Sequence, residues 1–316
     1  MKDVNKKEDE LKGIKDLIDA IKNEADTVAD DSVNYYVFYY GTTKDKKIKA
    51  FKTMINENIG KGLNSTLRES INALQSDSIY NYEDNDSEGS SDPELIKSDE
   101  VPRLSEIINT IQKTEDILDL KGLKAAASPK FAITMGKITA FGLLRKVSYM
   151  KQKKTFMKLN DYGVFDEIES EILLEVPESF SAIHYDGNIV IFNELNFEHI
   201  FDYHEKILSI IIGNEDSSKK LFSDMDTFYE VIENDSRKSR KLLYAYSRGY
   251  IDSLKISDIV DYAKDFGIEI TINPKDNKID LFKSDKWGVI KAISEDFFIG
   301  KWSKQKLAAD NKRSIH

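Results

Sequence analysis

Between Lys121 and Asn160 the chain carries ten basic residues and no Asp or Glu. They are Lys121, Lys124, Lys130, Lys137, Arg145, Lys146, Lys151, Lys153, Lys154 and Lys158. Ammonium and guanidinium groups at this density pair with phosphate or carboxylate oxygens. The 316-residue chain has a net charge of −10, so setting aside the window's +10 leaves −20 for the rest. An island of one sign in a background of the other points to a surface that receives a polyanion, and nucleic acid is the polyanion most often met. The competing reading is a solvated face whose acidic partners come from elsewhere in the fold. From Arg145 to Lys158 the cations are interleaved with Tyr149 and Phe156. That pattern permits base stacking beside phosphate contact, although two such rings could equally anchor a strand to the core.

A second basic element is the stretch Ser236 to Tyr250, which the periodicity makes helical. At 100° per residue Arg237, Lys241, Tyr244 and Arg248 fall within one narrow arc. Leu242, Leu243, Tyr246 and Tyr250 lie across the helix, and Arg240 sits beside the arc. The expectation is an apolar face turned inward and Arg237, Lys241 and Arg248 turned out. An ordinary amphipathic surface helix has the same pattern.

Signals for catalysis are thin. His199 and His204 are five residues apart and do not share the helix face that a metalloprotease motif requires. His204 lies in an apolar stripe, and His184 alternates with Phe180 and Ala182, so both read as structural. Neither Gly60-Lys61-Gly62 nor Gly136-Lys137 makes a phosphate-binding loop, and there is no nucleophile elbow. Asp166, Glu167, Glu169 and Glu171 are dense in carboxylates but have no suitably spaced lysine for a Mg²⁺ nuclease, and Asp280 with Lys283 is too sparse. No catalytic residue, metal or cofactor is expected. The absence of cysteine excludes disulfides and thiolate chemistry.

The elements that must position these residues follow from pattern. Forty per cent apolar residues, with 16 Phe and 15 Tyr, provide for a real core. Residues 5–23 form an amphipathic helix, Val33 to Tyr40 and Ile48 to Ile55 a pair of strands, and Asn64 to Leu74 a helix. The acidic stretch 76–100 reads as a loop, and a helix from Pro102 to Leu120 is stopped by Gly122. Phe131 to Leu144 is strand-like, with Gly136 and Gly142 marking bulges or close backbone approach. Three further strands follow, Ile172 to Val176, Phe180 to Tyr185 and Ile189 to Phe192, the last two joined by an Asp186-Gly187 turn. Asn196 caps a helix whose apolar stripe runs unbroken to Ile211. The C-terminal third is mainly helical, and a hairpin closes around Pro274 to Lys278. Helices followed by a hairpin could be a winged-helix arrangement, though a structural hairpin is commoner. The expected fold is α+β: an N-terminal α/β portion, a central mainly antiparallel sheet and a C-terminal helical portion with a β-hairpin. The expected division is 1–120 and 121–316, the latter comprising a basic central sheet (121–212) and a helical portion (213–316). No stretch has the ~20 apolar residues needed to span a bilayer, and no signal peptide is visible.

The string FAITMGKITAFGLLRKV (131–147), followed by HYDGNIVIFNELNFEHIFDYHEKI (184–207), resembles the KwaB family of the Kiwa anti-phage defence system, a bacterial family formerly of unknown function. The likeness covers roughly residues 125 to 300 and rests on order: a strand with internal glycines, a basic stretch, a hairpin, then a helix opening N-F-E-x-I-F. It contributes no catalytic residues. It implies a DNA-binding effector acting with a membrane-embedded KwaA-like partner, cytoplasmic by itself and recruited to the inner membrane through that partner; a homo-oligomer is also expected. The residues expected on DNA are Lys137, Arg145, Lys146, Lys151, Lys153, Lys154, Lys158, Arg237, Lys241 and Arg248. Their contacts would be mainly to phosphate and weakly sequence-specific. Two other classes stay open: a nuclease or other nucleic-acid-processing enzyme on the same surface, and a non-enzymatic protein docking to a membrane partner or to anionic lipid.

Overall fold

The computed structural model describes residues 2–41, 46–76, 78–82, 92–114, 120–126, 128–147, 157–159, 165–167, 173–175, 179–299 and 305–308. The chain divides into two compact units. Unit 1 holds residues 1–79 and 95–201, and unit 2 holds 80–94 and 202–316. The architecture is α+β with a large, mainly antiparallel sheet.

Unit 1 begins with α1 (Lys2–Thr27), β1 (Asn34–Tyr40), β2 (Ile48–Thr53) and α2 (Glu57–Asn72). After the short β3 (Tyr80–Asn81) of unit 2, it continues with β4 (Glu94–Lys97), α3 (Leu104–Gln112), α4 (Leu120–Ala125), β5 (Lys130–Met135) and β6 (Ile138–Leu143). Next come β7 (Arg145–Val147), β8 (Met157–Leu159), β9 (Phe165–Glu167), β10 (Leu173–Glu175), β11 (Ala182–Tyr185), β12 (Asn188–Ile191) and α5 (Glu194–Phe201). The sheet of this unit runs β2-β1-β5-β6-β11-β12-β4. Residues on both sides of the expected boundary at 120/121 therefore share one sheet, because β1 pairs with β5 from Asn34↔Thr134 to Phe38↔Lys130.

Strand alternation explains the two cores of unit 1. Val37, Tyr39, Phe131, Ile133 and Ile183 join Ile18 and Ile21 of α1 and Leu67 and Ile71 of α2 in one buried cluster. Phe38 points the other way and meets Phe141 edge-on at 6.3 Å, and Phe141 meets Phe201 of α5 at 5.1 Å. The β5 and β6 strands, covered on both faces, are buried almost throughout and read as near-continuous apolar runs. The Tyr40 hydroxyl donates to the Ile200 carbonyl at 2.6 Å and ties α5 to the sheet.

Several expectations are corrected. Gly136 is a turn residue between β5 and β6, not a bulge: its φ is +59°, and a Cβ there would lie 2.1 Å from Glu24 Oε1. Gly122 lies inside α4, where its carbonyl accepts from the Ala126 N–H, so it stops nothing. The side chain capping α5 is Asn193, whose Oδ1 accepts from the Asn196 N–H at 2.9 Å, three residues before the expected cap. The helix beyond it is interrupted, although its apolar positions Phe197, Ile200, Phe201, Ile207 and Ile211 stay buried. Asp202 takes φ 52°, ψ 34°, a left-handed conformation that Asp adopts more readily than most residues, and a new helix starts after it.

Unit 2 carries that helix, α6 (Tyr203–Gly213), then α7 (Glu215–Leu221), α8 (Met225–Glu233), α9 (Ser236–Ser247) and α10 (Ile256–Asp265). The hairpin β13 (Ile272–Asn273) and β14 (Lys278–Ile279) is only two residues deep. It is followed by α11 (Lys286–Ile293) and a second hairpin, β15 (Phe297–Ile299) with β16 (Lys306–Ala308), neither of which was expected. Helix α9 is the hub, packed against α6, α8 and α11. Among the described residues no helix is long and apolar enough to cross a membrane.

Candidate nucleic-acid interface

In unit 1 the acid-free run is built outward from the β5–β6 hairpin. Lys137 occupies the turn. Its side chain is exposed, and its backbone N–H donates to Glu24 Oε1 at 2.8 Å, which fixes the turn to α1. Beyond buried Leu144 the chain enters β7, where the Arg145 side chain is 81% exposed. Its guanidinium lies 3.9 Å from Glu175 Oε2, and the two residues are register partners across β7 and β10. Lys146 pairs with Leu174 in that register, and Lys158 of β8 pairs with Asp166 of β9. Folding thus sets acids opposite two cations of a run that has none in sequence. An exposed pair of this kind contributes about 0–1 kcal/mol. Lys151, Lys153 and Lys154, with Tyr149 and Phe156 between them, lie outside the described residues.

Lys130 serves the interior. It is 3% exposed, its ammonium donates to the Ser128 carbonyl at 2.9 Å, and it sits 4.4 Å from the centroid of the Tyr40 ring. Arg103 lies 4.5 Å from the same centroid. Electron-rich ring faces attract cations, and a buried ammonium needs such partners.

In unit 2 the helix α9 begins at Asp235, whose carboxylate accepts the Arg237 N–H at 3.1 Å. The Arg237 side chain is exposed, 3.5 Å from Asp235. Lys238 takes the other Asp235 oxygen at 2.8 Å; burial pushes the Asp235 carboxyl up, but Lys238 and Arg237 together outweigh it and hold the group below its ordinary range. At the far end Arg248 is exposed, with its guanidinium 5.0 Å from the Tyr244 ring centroid. Lys241 corrects the expectation. It is fully buried, with its ammonium 3.0 Å from Asp296 Oδ2, and it does not face solvent. Arg240 is also buried, 5.8 Å from the Tyr82 ring centroid. The wheel argument assumes that one side of a helix is covered. Packed against α6, α8 and α11, α9 is enclosed around its middle turn and open near its ends. The exposed described members of the expected set are therefore Lys137 and Arg145 in unit 1, and Arg237 and Arg248 in unit 2.

His204, His184 and Asp280 each have defined surroundings, whereas Glu169 and Glu171 lie outside the described residues. His204 is half-buried, with Nδ1 3.4 Å from the Ser239 hydroxyl. Burial holds the His184 imidazole below its usual range, against a smaller opposing pull from Asp186. Asp280 forms an ion pair with Lys283 at 3.0 Å. Among the described residues no three His, Asp or Glu side chains converge as metal ligands.

A family model described as Kiwa protein KwaB-like matches residues 129–301, more than half of the chain. The match opens at the start of β5 and closes just past β15. No curated protein and no solved structure matches.

Proposed function

The chain belongs to the KwaB-like family, whose role is in Kiwa anti-phage defence, and from that premise we propose that it is a non-catalytic DNA-binding effector of that system. The observation that carries the reading is the acid-free run of ten cations, eight of them inside the matched region. Lys137 and Arg145 present two of these charges to solvent, and Arg237 and Arg248 add two from the second unit. In this reading Lys146, Lys151, Lys153, Lys154 and Lys158 complete the contact. Binding is then mainly to phosphate, weakly sequence-specific and steeply salt-dependent. The chain works with a partner within the Kiwa system. We take that partner to be a membrane-embedded, KwaA-like protein that brings the chain to the inner membrane, and the chain itself to be a homo-oligomer.

The test is fluorescence anisotropy on duplex DNA over a salt series, comparing the natural chain with Lys151→Glu/Lys153→Glu/Lys154→Glu. The triple variant should lose at least about tenfold in affinity while its thermal midpoint moves by only a few degrees. Unchanged affinity in the folded variant overturns the reading. Supercoiled plasmid incubated with Mg²⁺ or Mn²⁺ should stay intact, and nicking would assign the surface to a nuclease instead.

A further inference from the structure

Strand β2 sits at the end of the sheet order, and among the described residues its one neighbouring strand is β1. Its hydrogen-bonding direction can be read residue by residue. The Gly41 N–H donates to the Lys47 carbonyl at 2.9 Å, and the register continues antiparallel through Tyr39↔Lys49 and Val37↔Phe51. In an antiparallel ladder alternate residues face the partner strand, so the backbone groups of Ile48, Ala50 and Lys52 face away from β1. The Thr114 hydroxyl agrees with this, donating to the Ala50 carbonyl at 2.7 Å from the side away from β1. Among the described residues no strand lies beyond β2.

Along this edge runs a cavity of about 610 Å³. One wall is the strand from Lys47 to Phe51. The other is Glu106, Asn109, Thr110, Lys113 and Thr114, a stripe at helical spacing on α3 and its C-terminal end. An edge strand facing a helix is the geometry in which an extended peptide adds a strand to a sheet. The five residues of the β2 wall extend over roughly 17 Å at about 3.3 Å per residue, enough to pair a short segment. Charge selects the occupant. Lys47, Lys49 and Lys113 are exposed on the two walls, and the one carboxylate among the described lining residues, Glu106, is held by Arg103 at 3.1 Å. We propose that the groove between β2 and α3 receives an extended acidic segment of a partner protein, which pairs with the outward backbone of Ile48 to Lys52, taking the place of the Thr114 hydroxyl on the Ala50 carbonyl, and places its carboxylates against Lys47, Lys49 and Lys113. A second copy of the chain fits poorly, because its β2 would set lysines against lysines. The same cations that keep copies apart therefore admit an acidic strand.

A fluorescein-labelled octapeptide of alternating Thr and Glu is a suitable probe, titrated by anisotropy into the full chain. Saturable binding is expected. Lys47→Glu/Lys113→Glu should weaken it at least about tenfold through charge, and Ala50→Pro should do the same by removing an outward N–H, a change that an edge strand tolerates. A peptide N-methylated on alternate amides keeps its charge and should bind at least about tenfold more weakly, since its own ladder donors are gone. Thermal midpoints within a few degrees of the natural chain identify the folded variants to compare. No saturable binding, or equal binding by the N-methylated peptide, overturns the proposal. So does displacement of the peptide by inorganic phosphate or ATP, which would make the groove a small-anion site, or by duplex DNA, which would make it part of the phosphate-binding surface. A self-association that Ala50→Pro abolishes would assign the edge to a second copy and would also overturn it.

Discussion

Lys241 Nζ lies 3.0 Å from Asp296 Oδ2, and neither side chain reaches solvent. The pair joins the middle of α9 to the turn that follows α11. The Ser294 hydroxyl, donating to the Lys241 carbonyl at 3.2 Å, reinforces the same junction. A buried charge left alone is strongly unfavourable, whereas an apolar replacement of both partners is often neutral. Lys241→Met should therefore destabilise the protein by about 3–5 kcal/mol in urea unfolding, and Lys241→Met/Asp296→Leu should recover most of that loss. A single variant as stable as the natural chain would mean that the lysine is not locked in this pair.

The exposed ends of α9 predict a different phenotype. Replacing Arg237 and Arg248 with Ala should leave stability within about 0.5 kcal/mol per site. It should flatten the slope of log affinity against log salt on duplex DNA by up to about two units, one phosphate per cation. Affinity should fall alike on unrelated sequences, because phosphate contacts carry no base information. An unaltered slope removes this helix from the interface, and loss on a single sequence would point to base readout.

Gly136 predicts a local backbone effect. Ala at this position meets a φ of +59° that L-residues avoid, and its Cβ would meet Glu24 Oε1 at 2.1 Å and Val28 Cγ2 at 2.8 Å. The carboxylate could swing aside, but only by releasing the Lys137 N–H it accepts. Gly136→Ala should destabilise by about 2 kcal/mol or more, and Glu24→Ala/Gly136→Ala by less than the sum of the single changes, measured as a double-mutant cycle.

His184 gives a pH dependence with a fixed sign. Burial lowers its folded-state value below the ordinary imidazole value of about 6.5. Above that value both states are neutral and its contribution is complete. As the pH falls through about 6.5 toward the lower folded value, the unfolded chain takes up a proton that the folded one refuses, and stability is lost. Unfolding midpoints between pH 8 and 5 should therefore fall less steeply for His184→Gln than for the natural chain. Parallel curves would refute the assignment.

Much of this was legible in the residues. Asp186-Gly187 demanded a turn with two positive φ values, and it has 44° and 74°. The apolar spacing of Phe197, Ile200, Phe201, Ile207 and Ile211 marked side chains that are all fully buried. Both signals are local: a dipeptide fixes its own backbone, and periodicity reports which residues want cover. What escaped depends on distant partners. Nothing near Lys241 announces Asp296, fifty-five positions away, so a one-helix argument turned that side chain outward. Arg145 and Glu175, likewise, are neighbours only once β7 and β10 pair. The break at Asp202 failed to register because both half-helices keep their apolar stripes. The cationic groove beside β2 escaped because Lys47, Lys49 and Lys113 are spread over more than sixty residues and carry no motif.

The interleaving of the two units also sets a timetable for synthesis. Residues 80–94 leave the ribosome before residues 95–201 exist, yet they belong with a unit whose remainder starts at Asp202. At roughly 5–20 residues per second, Tyr82 of that segment waits on the order of 5–20 s for Tyr203, whose ring it meets edge-on at 5.1 Å, whereas β3 can pair with β4 at once. The wait falls on an early stretch with nine acids and one lysine between Ser76 and Glu100, a composition that stays hydrated and resists premature collapse. A nascent chain of this protein can thus pair the strands of its first sheet, β3 included, before the ring that covers Tyr82 has been made.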